Sequence, residues 1–303
     1  MTRAGGECCP SVPVRVGLPA RPAWLEAIVA GEPRAIPTGD EGFSLEMAGS
    51  GSLTLLHAVV RQARLLDDRA LRSAARRIYG RIGRALDEAK LHAWRYWNYV
   101  PAIGAAAEIA GSRYQVFNIG RYEALQDAWG ASFVRHLAAA SAVGHDGEDL
   151  VIDVLAGAVP GRSVANPRQA APWRYTRRWG PRPPCFARAM IVPAWERATA
   201  HRFLIASGTA SIVDEDSLHP GDLRAQLEET CRNLTALLSA AVGSGVARYQ
   251  ELRIYVAREA DVEIATDLLH RTFPALSHLE AGVASLCREE LLVEVEGLAS
   301  IDV

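Results

Sequence analysis

Two glutamates alternate with two valines near the end of the chain, in the stretch LLVEVEGLA at residues 291–299. The alternation has the period of two that is typical of a strand, so Glu294 and Glu296 share one face. Carboxylates in this setting lie either at a solvated sheet edge or in a site that uses them, and the spacing alone favours the edge. A site would use such a group as an acid, because partial desolvation between Leu and Val neighbours raises a carboxyl pKa.

The positive charge of the chain is almost entirely arginine. The sequence has Lys+Arg 33 against Asp+Glu 35, a net charge of −2, and Lys90 is its single lysine. This balance gives no global field towards nucleic acid or an anionic membrane, so neither is expected as a partner. The guanidinium groups of arginine instead suit small carboxylates, which they bind through two parallel hydrogen bonds.

Metal-binding and disulfide patterns are absent from the sequence. The eight histidines include no H-x-x-x-H pair, and the cysteines have no C-x-x-C spacing: Cys8, Cys9, Cys185, Cys231 and Cys287. We therefore expect no metal and no cofactor. The first residues contain no apolar run of signal-peptide length, and no stretch of about 18 apolar residues follows, which predicts a cytoplasmic protein.

The elements that would position these groups fall into two halves. Residues 67–90 predict a helix, and a second helix is expected to end near Ala142. The order β-β-α-β-α-β over 185–303 predicts an α+β domain with two helices on one sheet face. We expect an N-terminal α/β domain over 1–160 and a connecting segment rich in Pro, Arg and Trp over 161–184. The first helix is predicted to bury an apolar stripe: Leu71, Ala75, Ile78, Ile82 and Leu86.

Five longer motifs carry a family resemblance. The stretch SGTASIVDEDSLHPGDLRAQLEETCRNLTALL (207–238) and the closing LLVEVEGLA resemble the RidA/YjgF family. WRYWNYVPAI and SRYQVFNIGRYEAL, within 94–125, and WRYTRRWGPRPPCFARA (173–189) resemble the chorismatases. Chorismatases pair a degenerate N-terminal α/β domain with a RidA-like, chorismate-mutase-like C-terminal domain. The resemblance spans about residues 90–303 and implies that two-domain α+β fold here.

The resemblance implies that the chain releases pyruvate from chorismate, an enol ether with two carboxylates. Glu294 is then the general acid that protonates the terminal methylene carbon, with Glu296 as the second choice. Cys287 resembles a mark of the family branch that forms 3-hydroxybenzoate; the alternatives are a non-aromatic dihydrodiol and 4-hydroxybenzoate. The resemblance further implies arginine clamps, phenol donors and small residues against the substrate: Arg121, Arg188, Arg174, Tyr114, Tyr175, Thr209, Ala210 and Ser211.

Two other classes of function compete with this interpretation. A RidA-like imine deaminase carries an arginine ahead of the strand glutamate, and ALSHLEAGVASL (275–286) has none. A non-catalytic metabolite-binding module would keep the arginines but would not need an acid at Glu294. RidA proteins are trimers with clefts between subunits, whereas two related domains in one chain can form the cleft internally. We therefore expect a monomer, with a trimer as the alternative.

Overall fold

The computed structural model describes residues 14–15, 18–29, 31–195, 202–243 and 245–302. The described helices are, in chain order, α1 (Ala23–Ile28), α2 (Asp68–Glu88), α3 (Arg113–Trp129), α4 (Leu223–Val242) and α5 (Val262–Thr272). The described strands are β1 (Val14–Arg15), β2 (Arg34–Ala35), β3 (Phe43–Ser50), β4 (Leu53–Val60), β5 (His92–Pro101), β6 (Ala139–His145), β7 (Leu150–Gly157), β8 (Arg162–Val164), β9 (Ala189–Pro193), β10 (Arg202–Ala210), β11 (Ile212–Val213), β12 (Asp216–Ser217), β13 (Val246–Val256), β14 (His278–Val283) and β15 (Val293–Asp302).

The described strands form two large sheets and one small hairpin. Six of them form a sheet in the order β2-β3-β4-β7-β5-β6, and seven form a sheet in the order β1-β14-β13-β15-β10-β9-β8. Strands β11 and β12 form the hairpin. Because β1 and β8 lie outside residues 185–303 yet join the second sheet, that sheet draws on three separate parts of the chain. The division at residues 160 and 184 stays a prediction.

The two large sheets pack face to face, and helices cover the outer face of each. Helices α2 and α3 pack on the six-stranded sheet, and α4 and α5 pack on the seven-stranded sheet. The layer between the sheets buries side chains from both, including Trp97 and Tyr99 of β5 and Ile205 of β10. This helix–sheet–sheet–helix arrangement confirms the predicted α+β fold with two helices on one face of the second sheet, and it leaves both faces of the central strands buried.

Strand β15 lies in the middle of the seven-stranded sheet, between β13 and β10. Val293 and Val295 belong to the core beneath the helices. Glu294 and Glu296 are therefore on the other face, towards the six-stranded sheet, and both are buried. The solvated-edge interpretation, which the spacing alone favours, is wrong.

The predicted first helix is confirmed, whereas the predicted second helix is too long. Helix α2 begins after Asp67, whose side chain accepts a hydrogen bond from the Ala70 N–H at 2.8 Å, and its predicted apolar stripe is buried. Helix α3 ends at Trp129, and the alanine-rich segment expected to be helical is strand β6. Alanine favours helices, but here the segment pairs in parallel with β5 and is buried along its whole length.

Residues 185–303 contain three described strands more than the predicted order β-β-α-β-α-β. Two of them, β11 and β12, form the small hairpin before α4, and the third, β14, follows α5 and runs parallel to β13. Cys8 and Cys9 lie outside the described residues, and the described cysteines are free thiols. The described part of the chain holds no group of three or more His, Cys, Asp or Glu side chains that could share a metal ion. None of its helices has the length and apolar character needed to cross a membrane.

Candidate active site

A cavity of about 630 Å³ lies between the two halves of the chain. Its walls come from α3, β6, β10, β15, the segment over 175–188 and the loop before β15. Pockets of this volume take small organic ligands. Seven of the residues predicted from the sequence line it: Tyr114, Arg121, Tyr175, Arg188, Ala210, Cys287 and Glu294.

Glu294 reaches the cavity from the centre of β15 and is only 5% exposed. It pairs with Ala210 of β10 and Tyr255 of β13, where the sheet excludes water. Burial, with a smaller contribution from the neighbouring Glu296, raises the pKa of this carboxyl to about 8, although Arg95 and Arg188 oppose the shift. The side chain therefore carries a proton at neutral pH and can donate it.

Gly208 makes room for the Glu294 carboxyl. A Cβ atom at this position would lie 1.9 Å from Glu294 Oε1. The pairing of β10 with β15 is irregular between Ala206 and Thr209, which places the glycine backbone against the carboxyl. The SGTAS motif thus fixes where this acid can lie.

Glu296 has a different environment although it is two residues away on the same face. Arg95 Nη2 donates a hydrogen bond to Glu296 Oε2 at 2.5 Å, and Trp97 Nε1 donates to Oε1 at 2.7 Å. Both donors are buried on β5. Glu296 is thus a paired carboxylate, whereas no described residue donates a hydrogen bond to the Glu294 carboxyl.

Arg121 is a buried cation that faces the cavity. It is 3% exposed, and its guanidinium lies over the rings of Tyr79 at 5.3 Å and Tyr96 at 6.0 Å. Gly120 positions it, because a Cβ there would lie 2.2 Å from Arg72 O of α2, so only glycine lets α3 approach this closely. Among the described residues, Arg121 has no carboxylate partner and its Nε has no hydrogen bond. An anion in the cavity would compensate this charge.

Arg188 is the second buried arginine in the wall. Its Nη2 donates to the Tyr175 hydroxyl at 2.6 Å and to Ala170 O at 3.0 Å, while its Nε has no partner among the described residues. All these partners are neutral. The cavity therefore contains two buried guanidinium groups without a carboxylate partner in the described chain, together with one protonated carboxyl.

Tyr114 and Cys287 complete the wall near Glu294. Burial, with a contribution from Glu294, raises the pKa of Cys287 to about 12, so the group is a neutral thiol at physiological pH. Burial also raises the pKa of Tyr114, which keeps its hydroxyl protonated and able to donate a hydrogen bond. Both groups are polar donors rather than charges in this site.

Three predicted residues do not line the cavity. Arg174 is exposed on a short 3-10 helix, Pro172–Arg174. Thr209 and Ser211 are buried, and their hydroxyls donate to Ser207 O and Leu218 O. Gly208 and Ala210 face the cavity, so the alternation along β10 turns Thr209 and Ser211 away from it.

Arg288 lines the cavity but carries no signal in the sequence beyond its place after Cys287. Its guanidinium lies 3.4 Å from the centre of the Trp179 ring, and its Nη1 donates to Glu215 O and Ser217 Oγ, each at 2.9 Å. These contacts join the loop before β15 to the 175–188 segment. In the sequence, this segment is marked by its concentration of Trp and Arg and by the motif WRYTRRWGPRPPCFARA (173–189).

Similarities to known proteins agree with this geometry. Residues 38–156 match the family described as chorismatase FkbO/Hyg5-like, N-terminal. A 3-hydroxybenzoate synthase of Streptomyces hygroscopicus is 28% identical over 214 residues, which cover 68% of this chain and 62% of the relative. A chorismatase of the same species is 31% identical over 219 residues, covering 68% and 61%.

A chorismatase crystal structure has the same fold. It superposes with a TM-score of 0.70 at 25% identity, covering 86% of this chain and 77% of the other. In sequence and in fold, the chain is similar to chorismatases. Because the alignments cover 62% and 61% of the curated relatives, the chain spans about three fifths of their length.

Proposed function

We propose that the protein cleaves the enol-ether side chain of chorismate and releases pyruvate. The observation that carries this proposal is the composition of the cavity: protonated Glu294 together with Arg121 and Arg188, two buried cations without a carboxylate partner in the described chain. Chorismate brings two carboxylates, which the arginines would bind, and an enol ether that only an acid can activate. A passive binding module does not need a carboxyl held protonated at neutral pH, and the arginine that a RidA-like deaminase carries ahead of the strand glutamate is missing from residues 275–286.

In the proposed reaction, the Glu294 carboxyl gives its proton to the terminal methylene carbon of the enol ether. The former double bond then lies between the substituted carbon and the ether oxygen, as an oxocarbenium ion. If water adds to that carbon, it loses one proton to Glu294, and the resulting hemiketal passes its hydroxyl proton to the ether oxygen as the bond between that oxygen and the side-chain carbon breaks, which gives pyruvate and the dihydrodiol.

If the neighbouring ring hydroxyl adds to the oxocarbenium carbon instead, it loses its proton to Glu294 and forms a cyclic ketal. The bond from that oxygen to the ring and the bond from the side-chain carbon to the ether oxygen then break, so pyruvate leaves with the former hydroxyl oxygen. The ring loses the proton of its ether-bearing carbon and the ether oxygen takes up a proton, which gives 3-hydroxybenzoate.

We assign the ring product as 3-hydroxybenzoate. Cys287 supports this assignment because it lies in the cavity wall next to Glu294, where it can contact the ring. The relative named 3-hydroxybenzoate synthase supports it independently. The roles of Tyr114 and Tyr175 as hydroxyl donors to the substrate belong to the same proposal. A cavity lined by both halves of one chain also supports a monomer, which light scattering after gel filtration would measure.

The test is to incubate the purified chain with chorismate. Pyruvate is followed through NADH consumption by lactate dehydrogenase, and the ring products are separated by chromatography against 3-hydroxybenzoate, 4-hydroxybenzoate and dihydrodiol standards. We expect stoichiometric pyruvate and 3-hydroxybenzoate. Absence of pyruvate from the folded wild-type protein overturns the proposed activity, and a different aromatic or non-aromatic product overturns only the product assignment.

A further inference from the structure

A buried ion pair lies directly beside the acid in the layer between the sheets. Glu296 accepts hydrogen bonds from Arg95 at 2.5 Å and from Trp97 at 2.7 Å, and all three side chains are shielded from solvent. Arg95 also donates to Ser141 Oγ at 2.9 Å, and Ser141 lines the cavity. The pair therefore extends from the cavity wall into the interior, where charges are poorly screened.

The position of Glu296 relative to Glu294 follows from the strand. Residues two apart on one face of a strand are separated by about 7 Å. At that separation and in a buried layer, an ionised carboxylate disfavours a second negative charge on its neighbour. The hydrogen bonds from β5 hold Glu296 in one orientation, so its charge cannot turn away to solvent.

We propose that Glu296 is a positioning residue whose fixed negative charge, oriented by Arg95 and Trp97, holds Glu294 in its proton-donating form. The inference rests on the proposed function for its catalytic consequence, but the effect of Glu296 on the Glu294 carboxyl is a property of the protein alone.

The other charged or titratable groups around the two glutamates are compatible with this role. The groups near Glu294 come from β5, α3, the segment before β9, the loop before β15 and β13: Arg95, Tyr114, Arg121, Arg188, Cys287 and Tyr255. The groups near Glu296 come from β5 and β13: Arg95, Tyr99, Arg253 and Tyr255. The arginines oppose protonation of Glu294, so among these groups Glu296 is the anion that favours it.

The decisive variant is E296Q, which keeps the shape and an oxygen acceptor while removing the charge. The alkaline limb of kcat/KM, set near pH 8 by Glu294 in the wild type, is expected to move down by about one pH unit. Activity then falls about fivefold at pH 8 and changes little at pH 6. The infrared band of the protonated carboxyl, assigned by its loss in E294Q, is expected to titrate at the same lower pH without any substrate.

A second variant keeps the test possible if E296Q does not fold. R95M/E296Q removes both charges, and because Glu296 influences Glu294 more than Arg95 does, the limb still moves to lower pH but by less than in E296Q. The matched control is E229Q, which removes the charge of another buried glutamate that is paired with arginines, here the more exposed Arg168 and Arg232, at residues that do not line the cavity. It is expected to lower the melting temperature and leave the pH profile unchanged.

The outcomes separate the two proposals. Absence of pyruvate from the wild type overturns the proposed function, while the infrared titration still measures the influence of Glu296. The role of Glu296 is overturned if folded E296Q has the same alkaline limb of kcat/KM and the same titration of the carboxyl infrared band as the wild type. If E296Q does not fold and R95M/E296Q does, the same comparison is made with the double variant. A shift of equal size in E229Q also overturns the role of Glu296, since the shift would then reflect general destabilisation.

Discussion

Gly208→Ala tests whether the acid must lie where the structure places it. The added Cβ would lie 1.9 Å from Glu294 Oε1 and 2.7 Å from Glu294 Cδ. Restoring an ordinary contact of 3.4 Å moves the carboxyl oxygen by about 1.5 Å. A displacement of about 1 Å at a reacting group lowers the rate about a hundredfold, which corresponds to about 2.7 kcal/mol of lost transition-state stabilisation.

The assay for Gly208→Ala is the pyruvate-coupled measurement of kcat and KM together with thermal melting. We expect kcat to fall about a hundredfold while KM changes little, because Arg121 and Arg188 are not displaced, and stability to fall by about 1–3 kcal/mol from overpacking. The matched control is Gly83→Ala in α2, where an added Cβ meets no atom within 4 Å. A folded Gly208→Ala protein with wild-type kcat would refute the assignment of Glu294 as an acid fixed against this backbone.

Three further predictions concern the cavity. E294Q is expected to lower kcat by about a hundredfold or more in the pyruvate assay. Because the folded-state pKa of Glu294 is raised from 4.5 to about 8, the free energy of unfolding should fall as pH rises through that interval, and denaturant titrations of E294Q should show a weaker fall. R121M is expected to raise KM about tenfold or more, since a charged hydrogen bond contributes about 1.5–3 kcal/mol, without lowering the melting temperature, because the cation lacks a carboxylate partner in the described chain. C287A is expected to lower the 3-hydroxybenzoate fraction among the chromatographed products; an unchanged fraction contradicts its assigned role.

Local sequence patterns predict the elements that have one buried face and one face exposed to solvent. The apolar stripe of α2 can be predicted from the sequence because one face of the helix packs on the six-stranded sheet and the other is exposed to solvent. Strand β6 has no such alternation of apolar and polar residues, because it is buried along its whole length and rich in alanine. Its strand state follows from pairing with β5, about forty residues earlier, and no local propensity encodes that pairing.

The sequence motifs predicted most of the residues that line the cavity, but not the residues that those side chains contact. The structure brings Arg121, Arg188 and Glu294 to one cavity, as the motif resemblance implied. Arg288 was missed because its contacts are with Trp179 and the β11–β12 hairpin, distant in sequence and joined only by the fold. Arg174 was also predicted as a clamp, but the structure places it on the exposed 3-10 helix Pro172–Arg174, outside the cavity wall.

The spacing of the two glutamates of β15 could not by itself distinguish their roles. Their spacing makes them equivalent, and any argument from neighbouring Leu and Val applies to both. They differ because Glu296 meets Arg95, 201 residues away in sequence, whereas no described residue donates a hydrogen bond to Glu294. A paired carboxylate stays charged, and a buried one without a donor takes up a proton. Glu294 is therefore the acid because its carboxyl lacks a hydrogen-bond donor among the described residues, and the proposed role of the negative charge on Glu296 is to keep Glu294 protonated.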